Sequence, residues 1–272
     1  MYRNAQFRLF VATAPKRGES IQDIILGRYH IVQYFDAGGM SEVYLAVDSV
    51  EDKYVIVKTC NHNNKSVMCA LANEYRILSL LSHNGVPKVY EYGTVSNMDY
   101  IVMEHIDGNN LSNILKDNKY VWTDYVDIIV GLCHILVYMH SCSVPVFHCD
   151  IKPENIIVSR TGRIVLIDYG TAVSGNEESF KTQYGTLSYA APEQFDNNAV
   201  IDERTDIFSV GILLKQIIGH ISNRRIKRRL DSIIMRCTYE DAQLRYEDVS
   251  DVISELLFLS GKSGIVKSVF VP

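Results

Sequence analysis

The chain has 272 residues, enough for one large domain or two lobes, and 47% of them are hydrophobic, so a real core can be buried and disorder is not indicated. A formal net charge of −5 argues against a general nucleic-acid binder. The six cysteines, at 60, 69, 133, 142, 149 and 237, include no Cys-x-x-Cys pair and read as reduced thiols of a cytosolic protein, not as a disulfide frame.

Residues 1–28 form a leader without an assignable pattern. Phe7-Arg-Leu-Phe-Val11 is too short and too charged for a signal peptide. From Tyr29 to about Val102 the pattern is strand-rich. Tyr29–Phe35 and Ser41–Val47 flank a Gly-Gly turn, and Lys53–Lys58 is a third run rich in β-branched residues. One helix is expected over Met68–Leu81, with Leu71, Ile77, Leu78 and Leu81 apolar and Glu74 on a more polar side. Two further strands are expected at Lys88–Tyr92 and Asp99–Met103.

After Glu104-His-Ile-Asp-Gly108 the chain turns helical. Thr123 is placed to cap a helix whose stripe is Val126, Ile129, Val130, Cys133, Leu136 and Val137. Asp206–Ile218 reads as a buried helix. Arg224–Arg229 reads as the solvated face of another, and Val249, Val252, Ile253, Leu256 and Leu257 stripe a last amphipathic one. No apolar run is expected to reach the ~18 residues that span a bilayer. A strand-rich lobe over 29–104, a helical lobe over 105–260 and a tail over 261–272 make an α+β, bilobal arrangement with a cleft between the lobes.

The chemistry concentrates in His148-Cys-Asp150-Ile-Lys152-Pro-Glu-Asn155 and, one short apolar hairpin later, Asp168-Tyr-Gly170. Phosphoryl transfer needs this set of groups. A carboxylate orients the attacking hydroxyl, a lysine neutralises the moving phosphate, and an amide and a second carboxylate hold metal ions. These two strings resemble the catalytic and metal-binding loops of eukaryotic-like protein kinases. Several other segments extend the resemblance in the right order, over roughly residues 29–258. Gly38-Gly39-Met-Ser-Glu-Val43 is similar to the glycine-rich loop, in the wording of bacterial Hanks-type Ser/Thr kinases. Lys58 stands where a lysine contacts the nucleotide phosphates, and Glu74 follows as its helical partner. Met103-Glu104-His-Ile106 resembles the segment joining the lobes, and Gly185-Thr186-Leu-Ser-Tyr-Ala-Ala-Pro192-Glu193 the end of an activation segment.

That resemblance implies a bilobal kinase fold and a Ser/Thr protein kinase using ATP and Mg²⁺ or Mn²⁺. It makes Asp150 the base or hydroxyl-orienting group, and places Lys152 on the γ-phosphate. Thr186 bridges those two, and Asn155 and Asp168 are the metal ligands. Gly38, Gly39, Val43, Ile56, Lys58, Met103, Ile157 and the backbones of Glu104 and Ile106 line the nucleotide site. Glu193 is expected to pair with Arg245, and Asp206 to anchor the catalytic-loop backbone. The implied partners are protein substrates with Ser/Thr acceptors and a regulatory protein, with no nucleic acid and no membrane span; the implied setting is the cytoplasm.

The chain also departs from the pattern. Asp36 and Ser41 replace glycines, Ile56 replaces an alanine over the adenine, and Tyr169 replaces a phenylalanine. Cys149 stands where regulated kinases carry the arginine that receives an activation-loop phosphate, so activity is expected not to require phosphorylation at Ser174, Ser179, Thr182 or Tyr184. A pseudokinase acting as a nucleotide-binding or scaffold module is the competing reading. A small-molecule kinase is disfavoured by the Ala-Pro-Glu stretch, Thr186 and Arg245.

Overall fold

The computed structural model describes residues 27–38, 41–61, 65–95, 98–117, 120–175, 186–196 and 198–261. Gly39, Ser179, Thr182, Tyr184, and nearly all of the leader and tail lie outside them, as does the side chain of Asp36.

The first lobe is an antiparallel sheet of five strands in the order β1-β2-β3-β5-β4. These are β1 (Tyr29–Gly38), β2 (Ser41–Asp48), β3 (Lys53–Asn61), β4 (Val89–Val95) and β5 (Met98–Glu104), with helix α1 (Lys65–Leu80) between β3 and β4. Each expected strand is present within a few residues of its expected ends. Strand periodicity explains why the sheet holds a site. Tyr44, Ala46, Val55, Val57, Tyr100 and Val102 point to one face and pack with Tyr29 into a small core of their own. The alternate residues Val43, Ile56 and Lys58 lie on the other face, with Val43 opposite Lys58 and Ile56 opposite Met103. Ile101 and Met103 on that face join the main core, against which Ile56 and α1 pack.

The second lobe is mostly helical. Its helices are α2 (Leu111–Lys116), α3 (Trp122–His140), α4 (Glu203–Ile217), α5 (Arg224–Cys237) and α6 (Val249–Ser260). Short strands interrupt them: β6 (Gly108–Asn110), β7 (Val146–Phe147), β8 (Ile156–Ser159), β9 (Ile164–Leu166) and β10 (Val173–Ser174). The expected hairpin between the two chemical loops is β8–β9, to which β6 adds as a third strand. Gly108 runs so close to the Val158 carbonyl that no side chain would fit there.

Two helix starts differ from the expected ones. Helix α3 begins after Val121, whose amide donates to Asp124 Oδ2 at 3.0 Å, so Thr123 sits inside the first turn and caps nothing. Helix α4 is capped by Asp202, whose side chain accepts from the Arg204 amide, which frees Asp206 in the first turn for another use. Against the expectation that no apolar run reaches the length of a bilayer span, one helix does so by length and composition alone. Helix α3 is 19 residues long with mean hydropathy 1.3, long and apolar enough by length and composition. Its apolarity has a local cause: Tyr125, Ile129, Leu132, Leu136 and Met139 are all buried in the core, packed by α6 on one side and α4 on another.

Candidate active site

Lys58 leaves β3 on the face turned away from the small core. Its Nζ binds Glu74 Oε1 and Oε2 at 2.7 and 2.8 Å and Asp168 Oδ1 at 3.3 Å. Burial alone would lower the lysine's pKa, but the charges of Asp168 and Glu74 outweigh it and the net shift is upward. Burial pushes Glu74 up, against the pull of Lys58. Asp168 is held down, first by Lys58, against burial, and further by His148 and Lys152. The Glu74 side chain is 3% exposed and that of Asp168 is 47% exposed. Glu74 is therefore an internal anchor, while the Asp168 side chain is partly open to solvent.

The second cluster is built on the loop between β7 and β8. Asp150 Oδ1 accepts from Thr186 Oγ1 at 2.9 Å and from the Thr186 amide at 3.0 Å. Its Oδ2 accepts from Lys152 Nζ at 2.6 Å, and Lys152 also donates to Thr186 Oγ1 at 3.0 Å. Asn155 Nδ2 donates to the Asp150 carbonyl at 2.9 Å and to Oδ2 at 3.2 Å. Those two bonds fix the amide, so that its oxygen is the atom left to face elsewhere.

His148 ties the two clusters together. It is fully buried, and burial lowers its pKa, against the nearby charges of Asp206, Asp150 and Asp168. Its Nδ1 accepts from the Asp150 amide at 3.3 Å while Nε2 donates to the Ile167 carbonyl at 3.1 Å, one residue before Asp168. The Ile167 amide in turn donates to the Asn155 carbonyl at 2.8 Å. Its role is thus architectural. Tyr169 packs edge-on against it with ring centroids 4.9 Å apart, and the Tyr169 hydroxyl donates to the Met139 sulfur at 3.9 Å.

Two residues in this region take positive φ: Cys149 at 63° and Asp168 at 68°. Such conformations cost a non-glycine residue ~1–2 kcal/mol each. At Cys149 the cost is met by Asp206, which is fully buried and accepts from the amides of His148 and Cys149 at 2.9 and 3.0 Å and from His140 Nε2 at 2.9 Å. Gln194 adds a bond from Nε2 to the Cys149 carbonyl at 2.7 Å. Arg245 lies fully buried and pairs with Glu193 at 2.6 and 2.9 Å, beneath the end of the segment that carries Thr186.

The remaining expected positions surround these groups. Val43 and Ile56 share the Lys58 face, and Met103 and Ile106 are buried where β5 ends. Ile157 is half-buried on β8, and Gly38 pairs with Ser41 at the β1–β2 turn. The Glu104 amide already donates to the Lys88 carbonyl at 2.8 Å. Ser174, one of the candidate phosphate acceptors, is buried.

The sequence reading missed several residues. Arg163 forks onto Glu104 at 2.7 and 3.1 Å and onto the Asn84 carbonyl at 2.6 Å, binding the β8–β9 hairpin to the lobe-joining segment. Asn73 and Arg76 of α1 reach the loop that follows Asp168. Each acts across a long sequence separation, which no local pattern announces.

Asn155 and Asp168 fit a hard divalent cation. They offer one amide oxygen and one carboxylate, an oxygen-only set suited to an ion that takes its other ligands from phosphate and water. Among the described residues no group of three or more His, Cys, Asp or Glu stands in metal-binding geometry.

Residues 29–258 match the family described as protein kinase domain. Among similar curated proteins, serine/threonine-protein kinase PknB of Mycobacterium leprae is 30% identical over 267 residues, covering 85% of this chain and 42% of that protein. Serine/threonine-protein kinase PrkC of Bacillus subtilis is 25% identical over 264 residues, covering 85% and 40%. A probable serine/threonine-protein kinase PknB of Lactococcus lactis is 27% identical over 270 residues, covering 87% and 42%. The chain thus spans about two fifths of the length of the relatives it matches.

Proposed function

This chain belongs to the protein kinase domain family, and from that premise we propose that it is a protein serine/threonine kinase transferring the γ-phosphate of ATP to hydroxyls of protein substrates. Members of that family use ATP with a divalent metal; for this chain Mg²⁺ or Mn²⁺ suits the donor set. The observation that carries the reading is the three-way contact of Lys58 with Glu74 and Asp168, which joins β3, α1 and the loop after β9 at one amine.

The roles follow from position. Asp150 orients the acceptor hydroxyl, and Lys152, bonded to it, meets charge on the transferred phosphoryl group. Thr186 fixes the geometry of both and belongs to the shelf on which a substrate peptide would lie. Lys58 holds the α- and β-phosphates, with Glu74 orienting it. Asn155 and Asp168 would hold the cation, which supplies charge neutralisation between phosphate oxygens. Val43, Ile56, Met103 and Ile157 would enclose the adenine. The Glu104 amide is already bonded, so that residue's carbonyl and the Ile106 backbone would meet its edge, and Gly38 with Gly39 would cover the phosphates. Catalysis of this kind is positioning plus charge stabilisation. Residues 29–104 and 105–260 serve as the two lobes.

The polar set weighs against a scaffold without turnover: Lys58, Glu74, Asp150, Lys152, Asn155, Asp168 and Thr186 are all present, and the contacts among them support a working site. The test is transfer of labelled γ-phosphate to a generic basic protein. Wild type transfers label to Ser/Thr and Asp150→Asn does not. Equal labelling by both, or labelling by neither while ATP still binds, would overturn the proposal.

A further inference from the structure

Helix α1 does more than carry Glu74. Asn73, buried beside it, donates both N–H groups of its amide to the loop after Asp168: to the Gly170 carbonyl at 3.1 Å and the Ala172 carbonyl at 2.8 Å. Its own oxygen accepts from Arg76 Nη2 at 2.8 Å, and Arg76 Nη1 donates to Ser174 Oγ at 3.1 Å. The Asn73 amide is thereby saturated. Turned over, it would set an oxygen against two carbonyls, so its orientation is determined.

The same helix face makes two more contacts. Glu74 Oε1 accepts from the Tyr169 amide at 3.4 Å, and a Cβ on Gly170 would stand 3.5 Å from the Ala70 side chain. Residues 70, 73 and 74 share one face by helical spacing. Together with Arg76 they reach Tyr169, Gly170, Ala172 and Ser174. The loop they reach begins at a residue in a strained conformation, Asp168 at φ 68°. Strain of that kind persists only where surrounding bonds over-determine it. No cation precedes Asp150 to receive an activation-segment phosphate, because Cys149 occupies that place and is buried.

We infer that Asn73 and Arg76 are positioning residues, a built-in brace that holds the Asp168 loop in its cation-binding pose. This rests on the kinase reading above and specifies how the site is kept assembled. Without the brace, the loop samples poses in which Asp168 is turned away. The competent fraction then falls, and apparent affinity for the metal–nucleotide falls by the same factor, while molecules that have bound still turn over.

The test uses the full chain carrying Asn73→Ala, Asn73→Asp or Arg76→Ala. Asn73→Asp keeps the acceptor for Arg76 and loses both donors. Arg76→Ala lies at the half-buried end, and keeps the test open if the Asn73 variants do not fold. Three readouts are taken: amide hydrogen exchange over Tyr169–Ser174 without nucleotide, KM for Mg–ATP against kcat, and melting temperature. The expected result is exchange in that segment faster by about 10-fold, KM for Mg–ATP higher by about 10-fold, and kcat at saturation within about 3-fold of wild type. Wild-type exchange and wild-type KM would overturn the brace. So would a fall in kcat that tracks melting temperature with KM unchanged, which is the signature of packing alone. If wild type transfers no phosphate, yet loop exchange and Mg–ATP binding still respond to Asn73→Asp, the kinase reading fails and the brace stands.

Discussion

Asp206 governs the shape of the catalytic loop, and its removal has a calculable cost. The carboxylate is fully buried and accepts from the His148 amide, the Cys149 amide and His140 Nε2. Asp206→Ala withdraws the acceptor of all three hydrogen bonds at once. Two backbone N–H groups are left in the core without partners, at ~1–3 kcal/mol each, so about 2–6 kcal/mol is expected in total. For a chain of this size that lowers the melting temperature by roughly 4–24 °C. Cys149 also loses a bond that holds it at φ 63°, and relaxation there moves Asp150, the next residue.

A misplacement of ~1 Å at the chemistry costs roughly 100-fold in rate, and a loss of that size is predicted for phosphate transfer by Asp206→Ala. The pH dependence has a definite sign. Burial raises the Asp206 pKa, but the His140 bond and charge, His148 and the Cys149 amide outweigh it, so the folded value lies below the ordinary one. A depressed carboxylate contributes stability that is present above its unfolded value, ~3.9, and lost as pH falls through the folded value. Urea denaturation of wild type and variant should therefore show the full gap at pH 7 and a shrinking gap below about pH 4. A variant within about 1 kcal/mol of wild type at pH 7 with normal turnover would refute the reasoning, since orphaned amides cannot be that cheap.

Arg245→Ala should cost about 3–5 kcal/mol in chemical denaturation, because it strands the Glu193 carboxylate and three carbonyls, those of Tyr239, Arg204 and Glu240. Lys58→Met should remove most transfer activity while circular dichroism and the denaturation midpoint show an intact fold; wild-type turnover would contradict its role. With a thiol reagent on the native protein near pH 7.5, exposed Cys69 should react first and Cys149 only on unfolding, because burial and the nearby carboxylates of Asp206, Glu193 and Asp150 push the Cys149 thiol well up. Replacing Ser179 and Thr182 by alanine and Tyr184 by phenylalanine should leave most transfer activity, and total loss would show that an activation-segment phosphate is needed after all; Ser174 is left intact, because its hydroxyl is bonded by Arg76.

Much of this architecture was legible because its determinants are local. Alternation along Ser41–Val47 and Lys53–Lys58 marks strands, and it puts Ile56 and Lys58 on one face before any contact is known, while Val43 joins them only through the register of β2 on β3. The convergence of Asp150, Lys152 and Asn155 was legible through their resemblance to a kinase catalytic loop. Helix starts were less legible: Thr123 and Asp206 are good capping types, yet Val121 and Asp202 hold those positions, because tertiary bonds claimed Asp206. The apolar richness of Trp122–His140 was also underread, since a helix buried on several sides loses the one-sided stripe. Asn73, Arg163 and Gln194 were invisible. Each is an ordinary polar residue by its neighbours in sequence, and its meaning lies in a carbonyl 97, 79 or 45 residues away.

The most direct measurement is anomalous diffraction from crystals grown with Mn²⁺ and a non-hydrolysable ATP analogue. Manganese peaks are predicted at direct bonding distance from the Asp168 carboxylate and the Asn155 amide oxygen, with the triphosphate between Lys58 and Asp150. A nucleotide seated elsewhere, or manganese bound without Asp168, would contradict the account.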